Sequence, residues 1–217
     1  MTMHADLLID RLAQDVPPVR PGGPSRLMLA ALAGGALATT VAMGLIAGFR
    51  PDLAAAMGSP MLWIKLGYAL ALCVIATAAA LRLARPEART PAPWLIAAAL
   101  PPVLLLAGIA AGEMMRSPVS HWPAMWLGGS WRECPWRILF FSLPVMAALM
   151  LAMRRLAPTR LALAGAAAGL ASGAAATFVY SLHCAEPSAL FVLSWYSLGI
   201  AAATGLGALL GPRLLRW

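Results

Sequence analysis

Residues 161–181 read LALAGAAAGLASGAAATFVYS, from Leu161 to Ser181, without a charged side chain. A membrane-crossing helix needs about 20 predominantly apolar residues at 1.5 Å rise each, and this stretch meets that length. Gly165, Gly169 and Gly173 recur at four-residue spacing with alanine around them. Such small residues stand on one face of a helix and let a neighbouring backbone come close in lipid. The stretch therefore predicts a tightly packed transmembrane helix.

Working outward, five more apolar runs share the chain: Leu27–Phe49, Met61–Leu83, Trp94–Gly112, Ile138–Met153 and Ala189–Leu210. The chain is 61% hydrophobic and only 11% charged, with mean hydropathy +0.80. Soluble domains carry about 25% charged residues, and a chain of this size cannot hide so much apolar surface in its own core. The expected fold is all-α, a polytopic bundle of six spans. Pro101-Pro102 and Pro144 are expected to kink the third and fourth spans. Gly44 and Gly48, and Gly207 and Gly211, repeat the close-approach spacing, and the spans pair as three hairpins. The polar segment 1–26, with Asp6, Asp10 and Asp15, does not read as a signal n-region. The organisation is thus a tail over 1–26, a membrane domain over 27–210 and a short tail over 211–217.

Charge sets the orientation. Arg11, Arg20, Arg26, Arg82, Arg85, Arg89, Arg154, Arg155, Arg160, Arg213 and Arg216 fall on one side of the predicted spans. Arg50, Arg116, Arg132 and Arg137 fall on the other, with Asp52, Glu113, Glu133 and Glu186. The positive-inside rule then places both termini in the cytoplasm. A net charge of +8 accordingly orients helices and does not point to nucleic acid. Within the tail, Leu8, Leu12 and Val16 lie a turn apart on one face of a short helix, which Pro17 and Pro18 stop. A helix of this length does not persist alone, so it is either a frayed tail or a peptide that docks on a partner, with Asp15 at its edge.

Two cysteines share the outer face. Cys134 stands in Trp131-Arg132-Glu133-Cys134-Pro135-Trp136, and Cys184 in Leu182-His183-Cys184-Ala185-Glu186. Each precedes a span that runs inward, where the helix dipole favours a thiolate. The readings open to them are a structural disulfide, a reversible pair that responds to oxidation or metal, and two unrelated thiols. His121, His183, Glu133 and Glu186 share that face, so a transient heavy-metal ion on Cys134 and Cys184 is conceivable chemistry, although no spacing is diagnostic. The third cysteine, Cys73, reads as mid-span packing. Lys65, the single lysine, lies near the outer end of the second span and is expected to snorkel to the interface. Most tryptophans read as an interfacial belt, and the Trp122–Trp136 loop as a lid partly sheltering Cys134.

The spans hold no paired acids, no mid-span charge and no histidine, which argues against an ion path or haem ligation. No nucleotide loop or catalytic triad is present. A small transporter or channel, a membrane thiol-redox protein and a structural assembly partner are the competing classes.

The ordered motifs also carry a family resemblance. Leu8-Ile9-Asp10-Arg11-Leu12 through Asp15-Val16-Pro17-Pro18-Val19 is the first. Gly129-Ser130-Trp131-Arg132-Glu133-Cys134 is the second. His183-Cys184-Ala185-Glu186 with Phe191, Trp195-Tyr196 and Leu198-Gly199-Ile200 is the third. With six spans, this resembles the NrsF-type membrane anti-sigma factors, negative regulators of sigma F. The resemblance implies a non-enzymatic protein of the bacterial inner membrane with an extracytoplasmic-function sigma factor as partner. It makes Cys134 and Cys184 periplasmic thiols responding to metal or oxidative stress, supported by Trp131, Glu133, His183 and Glu186. It gives the tail residues Leu8, Leu12, Asp15 and Val16 the sigma contact. It implies no resident cofactor, no nucleic acid and no small-molecule substrate.

Overall fold

A computed structural model describes residues 10, 12, 22–85 and 93–216 of the chain. Six helices in it are long and apolar enough to cross a membrane. They are α1 (Gly23–Ile46), α2 (Pro60–Leu83), α3 (Pro93–Arg116), α4 (Cys134–Arg154), α5 (Leu161–Tyr180) and α6 (Ala189–Leu214). No strand occurs among the described residues. Proline opens α2 and follows the first residue of α4, where a missing N–H costs nothing. The helix α3 continues through Pro101 and Pro102, and α4 through Pro144.

The helix α5 is the centre of the bundle, with 72% of its apolar window buried against 11% for α3. It packs on α6, α2, α4 and α1. The expected close approach is realised between α5 and α6. A methyl group added at Gly165 would land on the Gly207 carbonyl, and one at Gly169 on that of Ala203. Gly211 meets Leu161 in the same way. In lipid, this backbone proximity takes the place of the hydrophobic drive that packs soluble helices.

Two expectations are corrected. The Gly44–Gly48 spacing makes no helix contact: Gly44 faces the ring of its own neighbour Phe49, and Gly48 lies past the end of α1 at φ +73°. Gly35 instead brings α1 onto α4, with its Cα hydrogen directed at Val145, whose Cα would lie 2.6 Å from an added Cβ. The Thr39 hydroxyl donates to the Phe141 carbonyl at 2.9 Å beside that contact, in the turn that Pro144 disturbs. The spans also do not pair as three hairpins, because α1 packs chiefly on α4 while α2 packs on α5. The consecutive helices α5 and α6 do pair through their small faces, whereas Gly35 fits α1 to α4, a helix apart from it in the chain.

Six crossings leave the start of α1 and the end of α6 at one end of the bundle. The opposite end, where both motif cysteines lie, is tied together by loop contacts. The Arg50 N–H donates to the Leu182 carbonyl at 3.2 Å, joining the α1–α2 and α5–α6 loops. Glu113 at the end of α3 accepts from the Ala189 N–H at 2.8 Å and so caps α6, where an unpaired N–H would otherwise stay buried.

Candidate functional site: a two-thiol pocket

Cys134 is the first residue of α4, fully buried, and Cys184 is 4% exposed in the loop before α6. Both are unbridged thiols. They lie within electrostatic reach of each other, of Lys65 and of Glu186. The helices α4 and α6 are in contact, so the adjacency that a thiol pair needs is present. Cys134 thus stands at a helix N-terminus as expected. Cys184 does not, since α6 begins only at Ala189.

The walls of the pocket are aromatic. Tyr180, at the end of α5, has its hydroxyl within hydrogen-bonding reach of Cys134. Its ring meets those of Tyr196 at 5.7 Å and His183 at 5.5 Å. Tyr196 is fully buried, and its hydroxyl has no well-placed hydrogen-bond partner among the described residues, with the Cys184 sulfur in weak hydrogen-bonding reach and Cys134 in electrostatic reach. Tyr196 belongs to a π-helical turn, Val192–Tyr196, in the first part of α6. Such turns insert one residue and re-aim side chains, and they concentrate at functional sites.

Lys65 departs from its expectation. It does not snorkel outward: it is 2% exposed and donates from Nζ to the Cys184 carbonyl at 3.2 Å. Its ammonium also stands 5.9 Å from the centre of the Tyr196 ring, a cation–π distance. The reason is local. The loop before α6 brings the Cys184 carbonyl to the Lys65 ammonium on α2.

The four supporting residues take distinct places. His183 Nδ1 lies 2.7 Å from the Gly48 carbonyl and Nε2 lies 2.9 Å from Arg137 Nη1. A carbonyl only accepts and a guanidinium only donates, so this network assigns the proton to Nδ1. Arg137 also pairs with Glu133 at 2.5 Å, on the exposed side of α4. Glu186 accepts from the Gly129 N–H at 2.7 Å and from the Ser130 hydroxyl at 3.2 Å. Gly128 before it sits at φ +55°, where an added Cβ would strike the Glu186 carboxylate. Trp131 packs on Trp195 at 5.3 Å and carries the Arg132 guanidinium 5.1 Å from its ring. Trp126 stacks on Trp195 at 5.6 Å, and the Trp195 indole donates to the Trp126 carbonyl at 2.7 Å. Trp126 and Trp131 are therefore a clasp on the π turn, whereas Trp63 and Trp136, 61% and 70% exposed, fit the interfacial belt. Outside the pocket, Arg50 is hydrogen-bonded to Asp52 and holds that carboxyl below the usual carboxylate range.

The residues offered for a metal site are not gathered. Both nitrogens of His183 are engaged, Glu133 faces Arg137, and His121 stands exposed in the α3–α4 loop. Among the described residues no group of three or more His, Cys, Asp or Glu is placed to hold an ion. The donor set that remains is two thiols, which suits a soft ion and not a resident tetrahedral zinc.

Lys65, Tyr180, Tyr196 and Ser130 were not named as site residues from the sequence, although Ser130 and Tyr196 stand within the quoted motifs. Lys65 had a signal, as the one lysine and an ionisable group inside a span. Two of the three tyrosines flank the Cys184 loop in the chain, which was a second. Of the tail residues, Leu8, Asp15 and Val16 lie outside the described residues. Leu12 is helical and 61% exposed.

The comparisons agree with the motifs. Residues 12–217 match the family model described as negative regulator of sigma F. A protein named "Probable anti-sigma-F factor NrsF" from Azospira oryzae is 39% identical, over 99% of this chain and 100% of the relative. One named "Anti-sigma-F factor NrsF" from Caulobacter vibrioides is 40% identical, again over 99% and 100%. No solved structure matches the chain. With full-length relatives at this identity and the family model matched over nearly the whole chain, the chain belongs to the NrsF family of negative regulators of sigma F.

Proposed function

We propose that this protein is a membrane-bound anti-sigma factor that holds an extracytoplasmic-function sigma factor at the inner membrane. In this reading it releases the factor when Cys134 and Cys184, on the periplasmic side, are oxidised or bridged by a soft metal ion. The observation that carries the sensing half is two free, buried thiols within electrostatic reach of each other where α4, α5 and the α5–α6 loop come together. The names of the full-length relatives support the sigma-binding half. The arginine-rich end, with Arg82, Arg154, Arg155, Arg160 and Arg213, supports the orientation.

Signal transfer follows from the packing. A bond between the thiols draws the start of α4 toward the loop that leads into α6. The glycine-lined α5–α6 seam runs from Gly173 to Gly211 and carries the displacement to the arginine end. There the tail, through Leu8, Leu12, Asp15 and Val16, lets go of its partner's groove. A coupling of about 3 kcal/mol changes partner affinity roughly 150-fold.

Replacing both Cys134 and Cys184 with serine is expected to abolish induction of the sigma target by thiol oxidants and soft metals. A double variant that still responds normally refutes the sensing half. Leu8→Asp with Leu12→Asp is expected to release sigma without stress. Continued repression at an unchanged protein level refutes the docking half.

A further inference from the structure

The two thiols are not equally placed. A polar cleft of about 320 Å³ opens at the loop end, lined by Ser130, Arg137, Tyr180, His183, Cys184 and Glu186. Cys184 is in its wall, with its sulfur 3.9 Å from the Ser130 hydroxyl. Cys134 is not in the wall and is 0% exposed. Behind Cys184, Lys65 holds its main-chain carbonyl at 3.2 Å. The Tyr196 hydroxyl stays buried beside the pair, with the Cys184 sulfur as a weak hydrogen-bonding neighbour and no well-placed partner among the described residues. A buried hydroxyl with only a weak sulfur neighbour has hydrogen-bonding capacity to spare.

We propose that the thiols have unequal parts in oxidation: Cys184 meets the oxidant first, through the cleft, Cys134 resolves the product, and the Tyr196 hydroxyl is a positioning donor for the arriving oxygen. The proposal rests on the thiol-sensing reading above and takes a hydroperoxide as the oxidant. Cys184 gives its proton to water in the cleft, and its sulfur attacks the terminal peroxide oxygen. The S–O bond forms, the O–O bond breaks, and the departing oxygen takes a proton from water and leaves as an alcohol. Sulfur is oxidised by two electrons and the peroxide is reduced by two. The Tyr196 hydroxyl donates to the oxygen now on Cys184, a stronger acceptor than the sulfur. The Cys134 sulfur then attacks the Cys184 sulfur. The S–S bond forms, the S–O bond breaks, and hydroxide leaves as water with the Cys134 proton. Two thiols and one hydroperoxide become a disulfide, an alcohol and water, and with hydrogen peroxide the alcohol is a second water.

The test uses the full-length protein in detergent, hydrogen peroxide, a 1,3-dione probe for sulfenic acid and peptide mass analysis. In Cys134→Ser, the adduct is expected on Cys184. In Cys184→Ser, Cys134 is expected to collect it at least tenfold more slowly. Tyr196→Phe in the Cys134→Ser background is expected to slow adduct formation about tenfold while leaving alkylation of Cys184 by iodoacetamide unchanged, since that reagent brings no oxygen. Equal or faster labelling of Cys134 overturns the assignment of roles. An equal effect of Tyr196→Phe on both reagents, or no effect on either, overturns the part given to Tyr196. If wild type forms its disulfide while Cys134 labels first, the sensing reading stands and the assignment alone falls. If peroxide yields no disulfide in wild type, the assignment falls together with the oxidation half of the sensing reading, and bridging by a soft metal ion is the half left standing.

Discussion

Single side chains close the loop end by hydrogen bonds to the backbone. Glu186 is the clearest case, because one carboxylate oxygen holds both the Gly129 N–H and the Ser130 hydroxyl. A charged acceptor makes such bonds stronger than neutral ones. Glu186→Ala is expected to cost about 1–3 kcal/mol in thermal unfolding of the detergent-solubilised protein. It is also expected to speed maleimide labelling of Cys184 several-fold, as the clasp over the cleft loosens. Unchanged labelling would show that Glu186 does not guard the cleft. Part of this was legible in the chain. Glu186 and His183 were marked by standing next to Cys184, and both do hold the loop. Their partners, Gly129 and Gly48, were not legible, since a backbone donor or acceptor leaves no mark in the residue types.

At the scale of elements, the seam between α5 and α6 is where packing is least forgiving. Gly207 sits against the Gly165 carbonyl and 2.9 Å from the Gly169 Cα, measured from an added Cβ. Gly207→Val is therefore expected to cost about 3 kcal/mol or more through overpacking. Gly205, two residues away, has nothing within 4 Å of an added Cβ. Gly205→Ala is expected to be neutral or to gain up to about 1 kcal/mol from helix propensity. Thermal unfolding of the two variants in one detergent checks the contrast, and similar midpoints would deny the seam its role. The periodic glycines of α5 and α6 showed these faces in advance. The pairing of α1 with α4 was hidden, because one glycine, Gly35, makes the close approach and a single small residue has no period. The π turn at Val192–Tyr196 was hidden as well, since it satisfies the same composition as an ordinary helix.

For the whole molecule, sidedness is the property to test. In a background with serine at Cys73, Cys134 and Cys184, reporter cysteines are placed at Met57, in the α1–α2 loop, and Arg155, after α4. Both positions are exposed. Met57→Cys is expected to take an impermeant maleimide in cells with a permeabilised outer membrane, and Arg155→Cys only after lysis. The reverse pattern would turn the molecule over and put the thiol pocket in the cytoplasm. The charges that argue for this orientation are spread over every loop, so they could be read without knowing a single contact.

The number of spans and the small-residue faces of α5 and α6 were set by the chain alone. Hydropathy and local spacing are properties of consecutive residues, and lipid reads them segment by segment. Which helices meet, and that Lys65 turns inward to the Cys184 carbonyl, were decided by the tertiary structure. Helices apolar on all sides carry no polar face to mark their exterior. Their partners are chosen by the fit of backbones and a few buried polar groups, and that fit exists only once all six are together.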